Sequence, residues 1–360
     1  MRIAYVCYWN LLTRDGVAKK IAAQTTQWTA AGHEVRIFCL TRSNEPARFE
    51  ATRFPFRTMT GRFRSTTRLA AAVRDHRPDV VYLRYDLFLP PPLRLFHDFP
   101  VIVEVNTDDR AEARLVRSRG GRLYNFVNRQ ILLRGASGLV YVSGDLARSP
   151  RFTPFGKPGV VIPNGADLAR IQPLASSQNE RVRAVFMGTA RQPWHGIDKF
   201  LWLAGQLPEA DFDIVGFRPG DLPQLPPPNV TAHGVLARAE YEPILARSDV
   251  GIGTLAQHRR CFDETSTLKV PEYLAYGLPI VIGYEDTALI GLDEWFVLRL
   301  PNRESNVRDS VDRIRAFIAG VKGRRVPREA VEQRIGAHAR EAERLRFMQT
   351  VIGAGNAQTR

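Results

Sequence analysis

The 360-residue sequence predicts an α/β protein made of two Rossmann-like domains, each with a parallel sheet covered on both faces. Three observations lead there. At roughly 150 residues per domain the length accommodates two, each able to bury a core. Short β-branched runs alternate with longer segments of helical spacing, the pattern of parallel sheets with crossover helices. That alternation runs through once and begins again near the middle of the chain.

In the first half, residues 2–7, 35–40, 79–83, 101–105, 138–142 and 159–162 read as strands, being brief, β-branched and bounded by turn or polar residues. Residues 16–31 and 111–134 have helical spacing, and Gly32-His33 supplies a stop after the first helix. The polar segment 163–182, punctuated by Pro and Gly, is the expected linker. In the second half, 184–187, 212–215, 230–232, 249–252, 279–282 and 296–300 read as strands. Residues 197–206, 239–247, 267–276 and 306–319 read as helices, and 327–350 as one long, charged, amphipathic closing helix. The expected division is 1–168, 169–335 and a closing segment 336–360. Ligands of such sheets bind outside the carboxyl ends of the strands.

Composition narrows the partners. Lys plus Arg is 51 against 37 Asp plus Glu, a net charge of +14, which attracts polyanions. The charge is uneven: residues 1–168 hold 26 basic and 14 acidic side chains, the remainder 25 and 23. Residues 42–77 carry nine Arg, among them Arg62, Arg64 and Arg68, interleaved with Phe49, Phe54, Phe56 and Phe63. An Arg/Phe surface suits an anionic membrane, through charge and shallow apolar insertion; the alternative is a solvated basic surface over a Phe core. No recognition motif accompanies the charge, so specific nucleic-acid binding is not expected. Cys7, Cys39 and Cys261 give neither a disulfide framework nor a zinc spacing, and the seven histidines are scattered, so no metal is expected. The start lacks a signal-peptide pattern and no apolar run approaches the ~18–20 residues that span a bilayer, so a cytoplasmic protein is expected.

The most informative stretch is 263–283, DETSTLKVPEYLAYGLPIVIG. Glu264 and Glu272 stand with seven residues between them. Thr265, Ser266 and Thr267 are natural N-caps for a helix ending near Gly277. A helix start offers unpaired N–H groups and a positive dipole end, a ready site for a diphosphate. A second pair of the same spacing, Glu104 and Glu112, lacks such context and is read as chance.

This segment resembles the Glu-x7-Glu signature of retaining glycosyltransferases with the GT-B fold, family 4. Other motifs extend the likeness. Asp15-Gly16-Val17 resembles the Gly-rich loop after the first strand, Gly32-His33-Glu34-Val35 the usual end of the first helix, and Ile162-Pro163-Asn164-Gly165-Ala166-Asp167 the hinge motif. Phe186-Met187-Gly188 followed by Trp194-His195-Gly196-Ile197-Asp198 resembles the opening of the nucleotide-binding domain. The resemblance implies transfer of a sugar from a nucleotide-sugar to a saccharide or lipid-linked saccharide, with retention, without a metal or resident cofactor. Surface polysaccharide or glycolipid assembly, at the inner face of the membrane, is the setting it implies. It further implies an acceptor-facing N-terminal domain, with the segment after residue 336 packing back on it. Glu264 would hold the donor sugar, Glu272 the ribose, and Gly16 would contact the diphosphate through its backbone, with Thr267 and Leu268 also among the donor-binding residues.

Three departures from the family pattern matter. Where many members carry Gly-Arg and Lys-Gly, this chain has Gly188-Thr189 and His195-Gly196. Leaving-group charge must still be offset, and Arg191, Lys199 and Lys269 are the candidates, with Lys269 favoured and His195 a source of partial charge. Where many members carry a His after the fourth strand, Asn106 stands; it can hydrogen-bond sugar hydroxyls but cannot titrate, and Glu104 and Asp108 flank it. Asp108-Asp109 lacks the spaced Asp-x-Asp of metal-dependent enzymes. The rivals are another GT-B reaction, such as nucleotide-sugar epimerisation, and a degenerate scaffold or regulatory subunit.

Overall fold

A computed structural model describes residues 1–11, 16–43, 47, 49–86, 92–111 and 119–358. Asp15, Glu45, Arg48 and Glu112, and most of the first turns of the expected 111–134 helix, lie outside the described residues. The chain divides into two compact units, one of Met1–Pro163 with His338–Arg360 and one of Asn164–Ala337.

In the first unit, strands β1 (Arg2–Tyr8), β2 (Glu34–Thr41), β3 (Thr52–Pro55), β4 (Val80–Arg84), β5 (Val101–Val105), β6 (Gly138–Tyr141) and β7 (Gly159–Val161) form one sheet. Its order is β3-β2-β1-β4-β5-β6-β7 and every pairing is parallel. Chain order reverses direction between β1 and β4, so the crevice at their carboxyl ends is this unit's switch point. The helix Gly16–Ala30 starts there. It stops where Gly32 takes φ +83°, with the His33 N–H donating to Trp28 O at 3.1 Å. Tyr5, Trp28 and Tyr82 pack at 5.1–5.8 Å between ring centroids in the core.

In the second unit, β8 (Arg183–Met187), β9 (Asp211–Val215), β10 (Val230–Ala232), β11 (Val250–Ile252), β13 (Ile280–Ile282) and β15 (Val297–Arg299) make a six-stranded parallel sheet ordered β10-β9-β8-β11-β13-β15. Its switch point lies between β8 and β11. Two-residue strands β12 (Glu264–Thr265) and β14 (Glu285–Asp286) pair beside it. Gly216 at the end of β9 takes φ +98°, and a Cβ there would stand 1.8 Å from Gly188 O, so only glycine lets these two turns meet.

The structure corrects the expectations in four places. The closing helix is two helices, Arg328–Ile335 and Ala337–Gln358. The chain breaks at Gly336 because it bridges to Ala166 there, and Gly165 passes so near Ala337 that a Cβ would lie 2.9 Å from its Cα. The boundary falls at Pro163 rather than residue 168, since the Asn164 N–H donates to Ser266 Oγ and its Nδ2 to Ser266 O, both at 2.8 Å. The Arg-rich stretch contains β3 and the helix Met59–His76, capped by Thr58, whose hydroxyl accepts from the Gly61 N–H. The helix after Glu264 spans Lys269–Ala275, with Leu268 at its cap and no side-chain cap bond. Ser266 and Thr267 are engaged elsewhere, Thr267 Oγ1 lying 2.8 Å from Tyr284 Oη.

Candidate functional site

Tyr273 holds the helix Lys269–Ala275 against the switch point of the second unit. Its hydroxyl accepts from the Met187 N–H at 2.7 Å, at the end of β8, and donates to Ile252 O at 3.4 Å, at the end of β11. Gly251 makes room for the ring: a Cβ there would stand 2.6 Å from it. The first turn of this helix therefore lies over the carboxyl ends of the two central strands.

Lys269 occupies that turn. Its Nζ is buried 4.2 Å from the Phe186 ring centroid and has no hydrogen-bond partner among the described residues. Burial alone pushes its pKa down to about 7. His195 is beside it, buried, with Nδ1 3.4 Å from the Thr189 N. Burial, then Lys269 and Arg260, hold this imidazole well below its ordinary pKa, so His195 is neutral at physiological pH and supplies no positive charge. Gly188 packs tightly against it: a Cβ would meet His195 Nδ1 at 2.9 Å. Thr189 and Arg191 are exposed, and Arg191 takes φ +64° in the loop after β8.

Lys199 is not available to a diphosphate. Its Nζ donates to Leu255 O, Arg303 O and Asn306 Oδ1 at 2.9–3.2 Å, and it ties loops of the unit together. A cation that sequence reading passed over lies near His195 instead. Arg260 lies 4.3 Å over the Trp194 ring and is close enough to depress His195. The loops after β8 and β11 are joined there, Leu255 N donating to His195 O and Ala256 N to Trp194 O, both at 3.2 Å.

Glu264 and Glu272 stand in different settings. Glu264 opens β12, is buried, and accepts from Thr287 Oγ1 at 3.0 Å. Glu272 is half-buried, one turn beyond Lys269, and its Oε1 accepts from Tyr241 Oη at 2.5 Å. Thr267 and Leu268 are half-buried between the two carboxylates in sequence. Tyr241 was not singled out in the sequence; its place on the helix Arg238–Ala246 carries no motif.

In the first unit, Gly16 is exposed at the start of its helix, at the switch point. Asn106 follows β5 and is half-buried; its Oδ1 accepts from Lys20 Nζ at 2.7 Å and its Nδ2 donates to Glu104 Oε2 at 3.1 Å. Glu104 is fully buried and spent on structure. Lys20 lies 3.0 Å from Oε1 and Arg84 3.2 Å from Oε2. Burial opposes its charge, but Lys20, Arg84 and Arg344 outweigh burial and hold the carboxyl well below its usual range. Asp108 accepts from the Arg110 and Ala111 N–H groups and pairs with Arg151, so neither acid is free for a ligand. Of the basic patch, Arg64 and Arg68 are exposed as expected of a surface, whereas Arg62 is 3% exposed and packs over Tyr8 and Phe56. Among the described residues, no three His, Cys, Asp or Glu side chains are grouped to hold a metal, and no helix is long and apolar enough to cross a membrane.

Residues 15–165 match the glycosyl transferase 4-like domain family. No curated protein matches the sequence. Solved structures do match in fold. A sucrose-phosphate synthase from Thermosynechococcus elongatus superposes with a TM-score of 0.73 at 14% identity, over 98% of this chain and 99% of that one. An alpha-glucosyltransferase in complex with UDP-glucose and DNA gives 0.65 at 13% identity, over 97% and 99%. A lipopolysaccharide outer core galactosyltransferase gives 0.61 at 10% identity, over 93% and 94%. The chain thus has the GT-B fold of two Rossmann-like domains, and its residues 15–165 are similar to a glycosyl transferase 4-like domain.

Proposed function

We propose that the protein is a retaining, metal-independent glycosyltransferase. It moves a sugar from a nucleotide-sugar bound by the second unit to a saccharide or lipid-linked saccharide bound by the first. The bond from the anomeric carbon to the diphosphate oxygen breaks, the acceptor hydroxyl oxygen bonds to that carbon on the same face, and its proton passes to the departing diphosphate. The observation that carries this reading is Lys269, a buried ammonium without a hydrogen-bond partner at the switch point of the sheet. A diphosphate supplies the charge it lacks, and Arg260 is its neighbour in this role, since the Gly188 N–H is already donated to Val215 O at 2.9 Å and the Thr189 N–H to His195 Nδ1 at 3.4 Å. Glu272, oriented by Tyr241, takes ribose hydroxyls, and Glu264 takes sugar hydroxyls. The alpha-glucosyltransferase of similar fold binds UDP-glucose, which agrees with a nucleotide-sugar donor. Asn106, held by Lys20, orients a sugar hydroxyl without titrating.

A peripheral place at an anionic membrane surface and a part in surface polysaccharide or glycolipid assembly complete the proposal. Its support is a surface in the first unit. Met59 and Phe63 on one helix, and Leu123, Phe126 and Val127 on the helix Arg119–Gly135, are exposed. The two helices meet where Phe63 packs edge-on to Tyr124 at 6.4 Å. Exposed Arg64, Arg68, Arg119 and Arg122 accompany them.

A nucleotide-sugar binding screen followed by transfer assays with and without EDTA tests the reading. Saturable binding of one donor and an α-linked product by NMR are expected. A β-linked product removes the retaining claim, a C2-epimerised donor points to epimerisation, and binding without transfer across a broad acceptor panel points to a scaffold.

A further inference from the structure

Arg62 is the one member of the basic stretch whose burial the surface reading does not explain. It sits in the second turn of the helix Met59–His76, 3% exposed. Its guanidinium lies 4.7 Å from the Tyr8 ring centroid and 5.6 Å from that of Phe56. Its Nε and Nη2 are sealed from solvent and have no hydrogen-bond partner, and it makes no ion pair among the described residues. Nη1 is not among the sealed atoms, so the fork is open on one side. A guanidinium stays charged at any physiological pH, and leaving one buried without acceptors is costly. Stacking on aromatic faces is favourable but satisfies no N–H donor.

The surroundings give the missing partner a sign. Arg42, exposed at the end of β2, lies 5.6 Å from the Phe56 ring centroid. Tyr8 ends β1, Arg42 follows β2 and Phe56 follows β3, so the cluster crowns the carboxyl ends of three adjacent strands. That is the edge of a parallel sheet where ligands bind. The nearby groups that favour the Arg62 charge are Tyr124, Tyr8 and Asp86, while burial and Arg42 oppose it. Among the described residues, two cations against one carboxylate leave room for a further anion.

We propose that Arg62 and Arg42 form an anion subsite of the first unit that takes a phosphate group carried by the acceptor. A planar guanidinium fork binds phosphate oxygens bidentately, and two such cations match a phosphate dianion. The proposal rests on the first unit being the acceptor side. The phosphate is that of a soluble sugar phosphate or of a lipid headgroup, and the test separates the two.

The full-length protein is titrated with inorganic phosphate and with a hexose phosphate at constant ionic strength, by calorimetry. It is also sedimented with phosphatidylcholine vesicles containing phosphatidate, and with vesicles of equal charge made with phosphatidylglycerol. Arg62→Met and Arg42→Gln are compared with the parent, and binding of the donor nucleotide is measured in each. Expected is phosphate-group binding weakened at least tenfold in both variants, with nucleotide affinity unchanged. Loss in the soluble titrations assigns the phosphate to a soluble acceptor. Loss confined to phosphatidate vesicles, beyond the phosphatidylglycerol control, assigns it to a lipid. Equal binding by parent and variants, or no phosphate binding by the parent in any arm, overturns the proposal. Arg42→Gln, a surface change, keeps the test valid if Arg62→Met does not fold. Failure of the donor reading appears separately, as absent nucleotide binding in the parent.

Discussion

Lys269 shows how one residue joins fold to chemistry at a cost to stability. An unfolded lysine titrates near 10.4, and in the folded protein this one is pushed down to about 7. Between those values the unfolded chain binds the extra proton, so the penalty grows as pH falls from about 10 and is complete below 7. The free protein should therefore gain stability from this residue as pH rises from 7 to 10. Lys269→Met should raise the melting temperature at pH 7 and flatten that pH dependence in thermal scans. The same change should weaken nucleotide binding tenfold or more, because the cation facing the diphosphate is gone. In the parent, a bound diphosphate favours the ammonium, so affinity should fall as pH rises above about 7. Calorimetry at pH 8 in buffers of different ionisation enthalpy should report proton uptake on binding; no uptake would place the diphosphate elsewhere. At the next turn, Glu272→Ala should weaken nucleotide binding by about 1.5–3 kcal/mol, the scale of a charged hydrogen bond. Tyr241→Phe, which only frees the carboxylate to rotate, should cost less. A larger effect of Tyr241→Phe than of Glu272→Ala would count against the ribose assignment.

At the scale of elements, most strands were legible because parallel strands buried on both faces write themselves as near-continuous apolar runs, as in β1 and β4, and in β5 apart from the buried Glu104. The helix Met59–His76 was not, since Arg62, Arg64 and Arg68 interrupt its apolar positions and one of those arginines is itself buried. Nor were the roles of Ser266 and Thr267, because their partners, Asn164 and Tyr284, are supplied by other segments of the fold. The site shows the same divide. The Glu pair and Lys269 share one short motif, whereas Arg260 and Tyr241 reach the site only through loop and helix packing. The closing helix was legible in pattern but not in what anchors it. Glu341 accepts from Trp28 Nε1 at 2.8 Å and from Arg344 at 2.6 Å, while Arg344 donates to Tyr82 Oη at 2.8 Å and lies 3.7 Å from Glu104. This buried cluster ties Ala337–Gln358 to β4 and β5. Removing one charge from such a cluster costs about 3–5 kcal/mol, because its partners stay buried and unpaired. Glu104→Gln should lower unfolding free energy by that order in urea titrations at pH 7. Because the native carboxyl titrates well below its unfolded value, Glu104 stabilises the parent above about pH 4–5 and does so less as pH falls further. The gap between parent and variant should therefore narrow in acid.

For the molecule as a whole, the fold sharpens what the net charge means. With the closing segment counted where the structure puts it, the first unit holds 30 basic and 15 acidic residues and the second 21 and 22. The whole surplus of +14 thus lies in one unit, and the unit with the Glu pair is neutral to within one charge. The proposed diphosphate site, with Lys269 and Arg260, needs only local cations, so the surplus is free to act on something larger. Attraction of a basic surface to anionic lipid is worth about 1 kcal/mol per Lys or Arg near the membrane and decays within a Debye length. Apolar insertion adds a part that salt does not screen. The exposed Phe63, Leu123 and Phe126 beside Arg64 and Arg68 offer both parts. Binding to phosphatidylglycerol-rich vesicles should therefore fall steeply between low and physiological salt and level off above zero. Arg64→Glu with Arg68→Glu should remove the salt-dependent part, and Phe63→Ser with Leu123→Ser the residue that persists in high salt. Nucleotide affinity should be unchanged in both double variants, since the altered residues belong to the other unit. If vesicle binding is absent in the parent, or lost equally at all salt concentrations in either variant, the surplus charge acts on a soluble acceptor instead.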